Sequence, residues 1–160
     1  MPNQMLLTIC GLLLLSVLNL TFNTSAGEQQ STMLNNEAVL TSASLAQGML
    51  DEISTRSFDE QTVTKGLNST DSLTASNLLG PDSGEINVYQ YDDIDDFKNY
   101  SKVIALERLG NFYMSIDVNY IQNMLPDVKF NLKSFTKRID VAIFNTYLPD
   151  TLKLKTVISY

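Results

Sequence analysis

Eighteen consecutive residues from Met5 to Phe22, MLLTICGLLLLSVLNLTF, carry no charged side chain, and no other feature of the chain narrows its fold as much. As an α-helix the run is roughly 27 Å long at about 1.5 Å per residue, close to the hydrocarbon thickness of a bilayer. Thr8, Ser16, Asn19 and Thr21 are its clearly polar members. The side chains expected to meet lipid or other helices are Met5, Leu6, Leu7, Ile9, Leu12, Leu13, Leu14, Leu15, Val17, Leu18, Leu20 and Phe22. A cleaved signal peptide fits the apolar length and the small residues Thr24 and Ala26 before Gly27, but such peptides open with basic residues, and the first Lys or Arg here is Arg56. A plain membrane anchor lacks the same orienting charge. The third reading is a helix that lipid holds before assembly and a helical core buries afterwards.

The following residues separate these readings. From Glu28 to Phe58 there is no Pro and one internal Gly, Gly48. Leu34, Ala38, Leu45, Met49 and Ile53 recur at helical spacing, Val39, Ala46 and Leu50 widen the stripe, and Glu37, Ser44, Gln47 and Asp51 fall largely outside it. The pattern predicts an amphipathic helix of about 25 to 30 residues that starts almost where the apolar run stops. A signal peptide has no reason to be continuous with such a helix. The expected organisation is an apolar helix over 1–26, an amphipathic continuation over 27–64 whose Leu34, Ala38, Leu45, Met49 and Ile53 pack on the head, and a β-rich head over 65–160.

The head reads as strands. Residues 65–84 are rich in Ser, Thr, Asn, Asp and Gly and predict a long loop. Val103 to Leu106 is a short strand candidate before a turn at Gly110-Asn111. Phe112, Met114, Ile116, Val118 and Tyr120 alternate with Tyr113, Ser115, Asp117 and Asn119, as in a half-buried strand. Ile139, Val141 and Ile143 repeat the alternation, as do Leu152, Leu154, Thr156 and Ile158, with Pro149 in the connection. The expected fold class is α+β, one long helix laid on an antiparallel sheet of about four strands.

Composition excludes much chemistry. A chain of 160 residues supports one modest domain and an appendage. It has no His and a single Cys, Cys10, inside the apolar run, so imidazole general-base catalysis, His–Cys zinc sites and an intrachain disulfide are ruled out. No phosphate-binding glycine loop or nucleophile elbow occurs. An enzyme is not expected, and no cofactor is implied. The net charge of −7 argues against nucleic acid as a partner. Up to Asp96 there are thirteen acidic and two basic side chains, and after it five acidic and nine basic, an asymmetry that reads as two differently charged solvated faces or as charge complemented within one molecule or between neighbouring copies in an assembly. Asp92, Asp93, Asp95 and Asp96 lie within five residues and offer hard oxygen ligands suited to calcium. The spacing is not that of an EF-hand, since Lys98 stands where the Gly belongs and no Glu closes the loop. The competing reading is a solvated turn whose carboxylates cap backbone amides.

Several segments carry a family resemblance. Leu45-Ala46-Gln47-Gly48-Met49-Leu50-Asp51-Glu52-Ile53, followed by Arg56 and Phe58-Asp59-Glu60, resembles the helix end of minor type IV pilins and related pseudopilins, closest to those of the mannose-sensitive haemagglutinin type. Tyr91 to Tyr100 resembles their acidic loop, and Lys137 to Ile143 with Leu152 to Tyr160 is similar to their closing strands. The resemblance implies a structural subunit of a bacterial type IV pilus or a type II secretion pseudopilus. Such a subunit assembles with identical or related chains through its N-terminal helix, and sits in the inner membrane before it joins an extracellular filament. Some major pseudopilins hold calcium in a C-terminal loop, which extends by resemblance to the acidic cluster. One departure stands out: the usual Gly before a Phe-like residue and the Glu at the fifth mature position have no counterpart here. The alternative reading is a monomeric, membrane-anchored or secreted envelope protein that binds a ligand.

Overall fold

The computed structural model describes residues 2–160. The chain divides into two units, Met1–Glu37 and Ala38–Tyr160. Helix α1 spans Pro2–Ser54, and Pro2 sits in its first turn, where the missing N–H has no partner to lose. No further Pro occurs before Pro81.

Within the second unit, Ala38, Ser42, Ala46, Met49, Leu50 and Ile53 of α1 are buried. Their spacing of three and four residues keeps them on one face, and the small side chains at 38, 42 and 46 permit close approach. Leu45 is half-buried beside this row, while Leu34, also half-buried, belongs to the first unit. Ser42 is the irregular member, because its hydroxyl is buried without a hydrogen-bond partner. Ser42→Ala removes an unsatisfied group and improves helix propensity, so the denaturation midpoint should rise by the equivalent of about 1 kcal/mol. A midpoint that falls would mean the hydroxyl has a partner.

The expected helical segment 27–64 is interrupted. α1 stops at Ser54, and Ser57 forms an isolated parallel bridge with Asp93. A separate short helix, α2, runs Glu60–Thr64. Asp59 makes the break favourable: its carboxylate accepts from the Gln61 N–H at 3.2 Å, and its own N–H donates to the Thr62 hydroxyl at 3.0 Å. That reciprocal cap starts a new helix and cannot sit inside an old one.

The head contains a five-stranded antiparallel sheet: β1 Ser101–Leu106, β2 Gly110–Gln122, β3 Leu125–Lys129, β4 Thr136–Phe144 and β5 Leu152–Ser159. The order is β1-β2-β4-β5, with β3 pairing the far end of β2 past a register shift at Ile121/Gln122. The α+β class therefore holds, with one strand more than the alternation predicts. β3 escapes a search for alternation because all five of its residues are exposed and one is Pro126. The β1–β2 turn needs Gly110, whose φ of 71° lies in the left-handed region.

Register fixes the two faces. Met114, Ile116, Val118 and Tyr120 of β2 lie opposite Ile143, Val141, Ile139 and Lys137 of β4, and this face is buried. Ser115, Asp117 and Asn119 oppose Ala142, Asp140 and Arg138 on the other. There Lys98 Nζ donates to Asp117 Oδ1 at 2.6 Å, to the Val118 carbonyl at 2.7 Å and to Asn119 Oδ1 at 2.8 Å, while Lys129 Nζ reaches Asp117 Oδ2 at 2.6 Å. Partial burial pushes the Asp117 carboxyl up, but the hydrogen bonds from Lys129, Lys98 and Asn119 outweigh it and hold the group well below the usual range.

Asn145 closes the β4–β5 corner. Fully buried, it donates to the Leu109 and Asn111 carbonyls at 2.9 and 3.0 Å and accepts from the Tyr147 N–H at 2.9 Å. Asn145→Ala strands three backbone groups, so a loss of about 2–3 kcal/mol is expected in urea unfolding. A loss under about 0.5 kcal/mol would show that water replaces the amide.

Candidate functional site: the apolar helix and a buried charge cluster

Between Met5 and Phe22, twelve large apolar side chains are exposed, from 58% at Ile9 to 75% at Leu7 and Phe22. They surround the helix on every side, and no charged residue interrupts them. The hydroxyls of the run are bonded within the helix, as is the Asn19 side-chain oxygen. Thr8, Ser16 and Thr21 donate to the carbonyls of Met5, Leu12 and Val17 at 2.8, 2.9 and 2.5 Å, and Asn23 donates to the Asn19 side-chain oxygen at 2.9 Å. The segment is thus long enough, apolar enough and internally paired enough to cross a membrane.

The acidic loop is buried rather than solvated, which corrects the reading of a solvated turn. Asp93, Asp95 and Asp96 are each at most 3% exposed, and only Asp92 is exposed. Asp93 Oδ1 accepts from the N–H groups of Asp95 and Asp96 at 2.6 and 3.2 Å, and opens a one-turn 3-10 helix over Asp95–Phe97. Asp96 Oδ2 accepts from the N–H groups of Asp92 and Asp93 at 3.1 and 3.2 Å. The four aspartates considered for calcium are not gathered round one point. Asp93 caps amides and Asp95 meets Lys137, whereas Asp92 and Asp96 join Glu85, with a carboxylate oxygen from each of the three within 4.8 Å of the others. Edge-on packing of Phe97 against Tyr91 at 5.2 Å and Tyr100 at 6.0 Å holds the loop, and Asn99 leaves it at a φ of 59°.

Beneath the loop lies a cluster that patterning alone did not single out. Lys137, on the core face of β4, is wholly buried. Its Nζ donates to the Phe58 carbonyl at 2.5 Å, to Asp59 Oδ2 at 3.3 Å and, at closer range, to Asp95 Oδ1. The rings of Phe58 and Tyr120 stand 4.4 and 5.2 Å from the ammonium and face it as cation–π partners. Asp59, also wholly buried, accepts from the Thr74 N–H at 3.0 Å and the Thr74 hydroxyl at 3.2 Å. The Tyr120 hydroxyl lies 3.0 Å from Asp59 Oδ2 and 2.9 Å from the Thr74 carbonyl. Burial raises Asp59, yet the Lys137 charge and the Thr74 and Gln61 amides outweigh it, so the carboxyl ends below its ordinary value. For Asp93, Asp95 and Asp96 burial wins: Asp93 is pushed up to about 8, and Asp95 and Asp96 to about 7, with neighbouring carboxylates adding to the effect. Tyr120 is pushed upward by burial and by the surrounding carboxylates, and stays a donor.

The cluster was visible in one respect. Period-two alternation back from Ile143, Val141 and Ile139 puts position 137 on the inner face, and an inward Lys must find a carboxylate. What the sequence did not reveal is that Asp59 and Asp95, far apart along the chain, supply it. Comparison with family models, with curated proteins and with solved structures finds no match for this chain.

Proposed function

We propose that this protein is a structural subunit of a type IV pilus-like filament or a secretion pseudopilus. It assembles through α1 with identical or related chains and rests in the inner membrane beforehand. The observation that carries the reading is a single helix, Pro2–Ser54, apolar on all sides over its first part and buried along one face over Ala38–Ile53. Covering a dozen large apolar side chains is worth about 1.5–3 kcal/mol each, so they demand lipid or sibling helices.

A specific feature favours the second reading, a monomeric membrane-anchored or secreted envelope protein that binds a ligand. No Glu lies within Met5–Phe22. Intact mass and N-terminal sequence of the chain from sheared surface material and from membranes distinguish the readings. A subunit retains Met5–Phe22 and is recovered in the sheared filaments, whereas a chain starting near Gly27 in soluble form defeats assembly. Leu14→Arg puts a charge at the centre of the run at a cost of about 2.5–3.5 kcal/mol for insertion. Its yield in both the membrane and the sheared fraction should drop at least several-fold.

A further inference from the structure

Lys137 and Asp95 make an unusual pair. Their side chains are 0% and 3% exposed, and their polar ends touch. Asp95 Oδ2 is buried with no hydrogen-bond partner, so the carboxylate is satisfied on one side only. A second carboxyl, Asp59, reaches the same Nζ at 3.3 Å and is held by Tyr120 and Thr74. The Phe58 and Tyr120 rings sit beside the nitrogen. An ion pair in such a dry setting recovers its desolvation cost only when its remaining lone pairs are satisfied, and here one oxygen is not.

We propose that Lys137 and Asp95 condense into an intramolecular amide, with Asp59 carrying the proton. The shared proton passes along the Nζ–H···Oδ1 hydrogen bond to the Asp95 carboxyl, which leaves a neutral amine with a free lone pair. Nζ attacks Asp95 Cγ and the C–N bond forms. Asp59 accepts a proton from the nitrogen and returns it to the departing hydroxyl, the C–O bond breaks, and one water is released. Nothing is oxidised or reduced, and no co-reactant is required. The product removes two buried charges and one oxygen of the half-satisfied carboxyl. The amide N–H keeps the Phe58 carbonyl as its acceptor. The new bond ties the acidic loop to β4 across 42 positions of chain.

The test is the intact mass of the full chain purified in detergent, with its N-terminus sequenced, followed by protease digestion. The expected mass is that of the sequenced chain less one water, and the digest contains one branched peptide joining Asp95 to Lys137. An undiminished mass with separate linear peptides carrying Asp95 and Lys137 overturns the proposal, as does a water loss that maps elsewhere. The wild-type mass decides the bond without reliance on any variant folding. Asp59→Asn, which keeps the side chain's size, should form the bond at least about ten-fold more slowly by the same mass readout, the scale of a lost proton carrier. Formation at the wild-type rate overturns the role of Asp59.

Discussion

Lys137→Met should unfold in urea at a markedly lower midpoint than the wild type, a loss of about 3–5 kcal/mol. Methionine has similar length and is at ease between Phe58 and Tyr120, so the loss comes from charge and hydrogen bonding and not from a cavity. Removing the only cation that meets Asp59 and Asp95 among the described residues leaves two wholly enclosed carboxyls facing each other. At least one must then take a proton, and the Phe58 carbonyl loses its donor as well. Tyrosine fluorescence is the natural probe, because the chain has seven Tyr and no Trp. A variant within about 1 kcal/mol of the wild type would mean the cluster is hydrated and the burial argument fails.

The double variant Lys137→Met with Asp95→Leu restores a neutral, apolar contact, and where Lys137 and Asp95 are an uncondensed ion pair it recovers at least half of that loss, as replacements of whole buried ion pairs do. Full recovery marks an uncondensed ion pair. If the amide has formed, the double variant also loses a covalent closure of the 42-position loop, and it should remain about 3–4 kcal/mol below the wild type. The same pair of measurements thus reads both the electrostatics and the chemistry of the site.

How far the sequence carried these conclusions depends on range. Met5–Phe22, the stripe from Ala38 to Ile53 and the alternation along β2, β4 and β5 are signals of local period, and the structure holds an element at each. The break after Ser54 was also local, written in Asp59 and Thr62 as a capping pair, but a Pro-free stretch with continuing helical spacing concealed it. β3 left no signal because all five of its residues are exposed, so no apolar alternation marks it. The acidic loop is the instructive failure. Four Asp in five residues read as a solvated turn, since isolated carboxylates stay in water. Their burial depends on amides two and three residues away, which the sequence does suggest, and on Lys137 arriving from β4, which it does not. The alternation read from the sequence begins at Ile139 and stops short of Lys137, whose partners are set by how the segment after α1 and the acidic loop close over β4.

The head should become less stable as pH rises through neutrality, against the behaviour of most folds whose carboxylates are paired. Burial lifts Asp93 to about 8 and Asp96 to about 7, so the folded state keeps protons that the unfolded chain has released once pH exceeds its ordinary carboxyl range. Where the folded state binds more protons, unfolding free energy falls with pH, by up to about 1.4 kcal/mol per pH unit for each such group. The decline starts above the unfolded value of 3.8 and ends once pH passes the folded values of about 7 and about 8. Asp59 and Asp117 act with the opposite sign. Their folded values are lowered, so their contribution is complete above 3.8 and disappears as pH falls through the depressed values. Stability should therefore peak on the acid side of neutrality and drop by at least about 2 kcal/mol between about pH 5 and about pH 7. Urea midpoints of the full chain in detergent across that interval test it, and a flat or rising profile would place water against Asp93 and Asp96. The steepness carries a second message. A free Asp95, lifted to about 7, contributes a third proton to the linkage, whereas an Asp95 condensed with Lys137 has none to give, so the condensed protein shows the shallower slope.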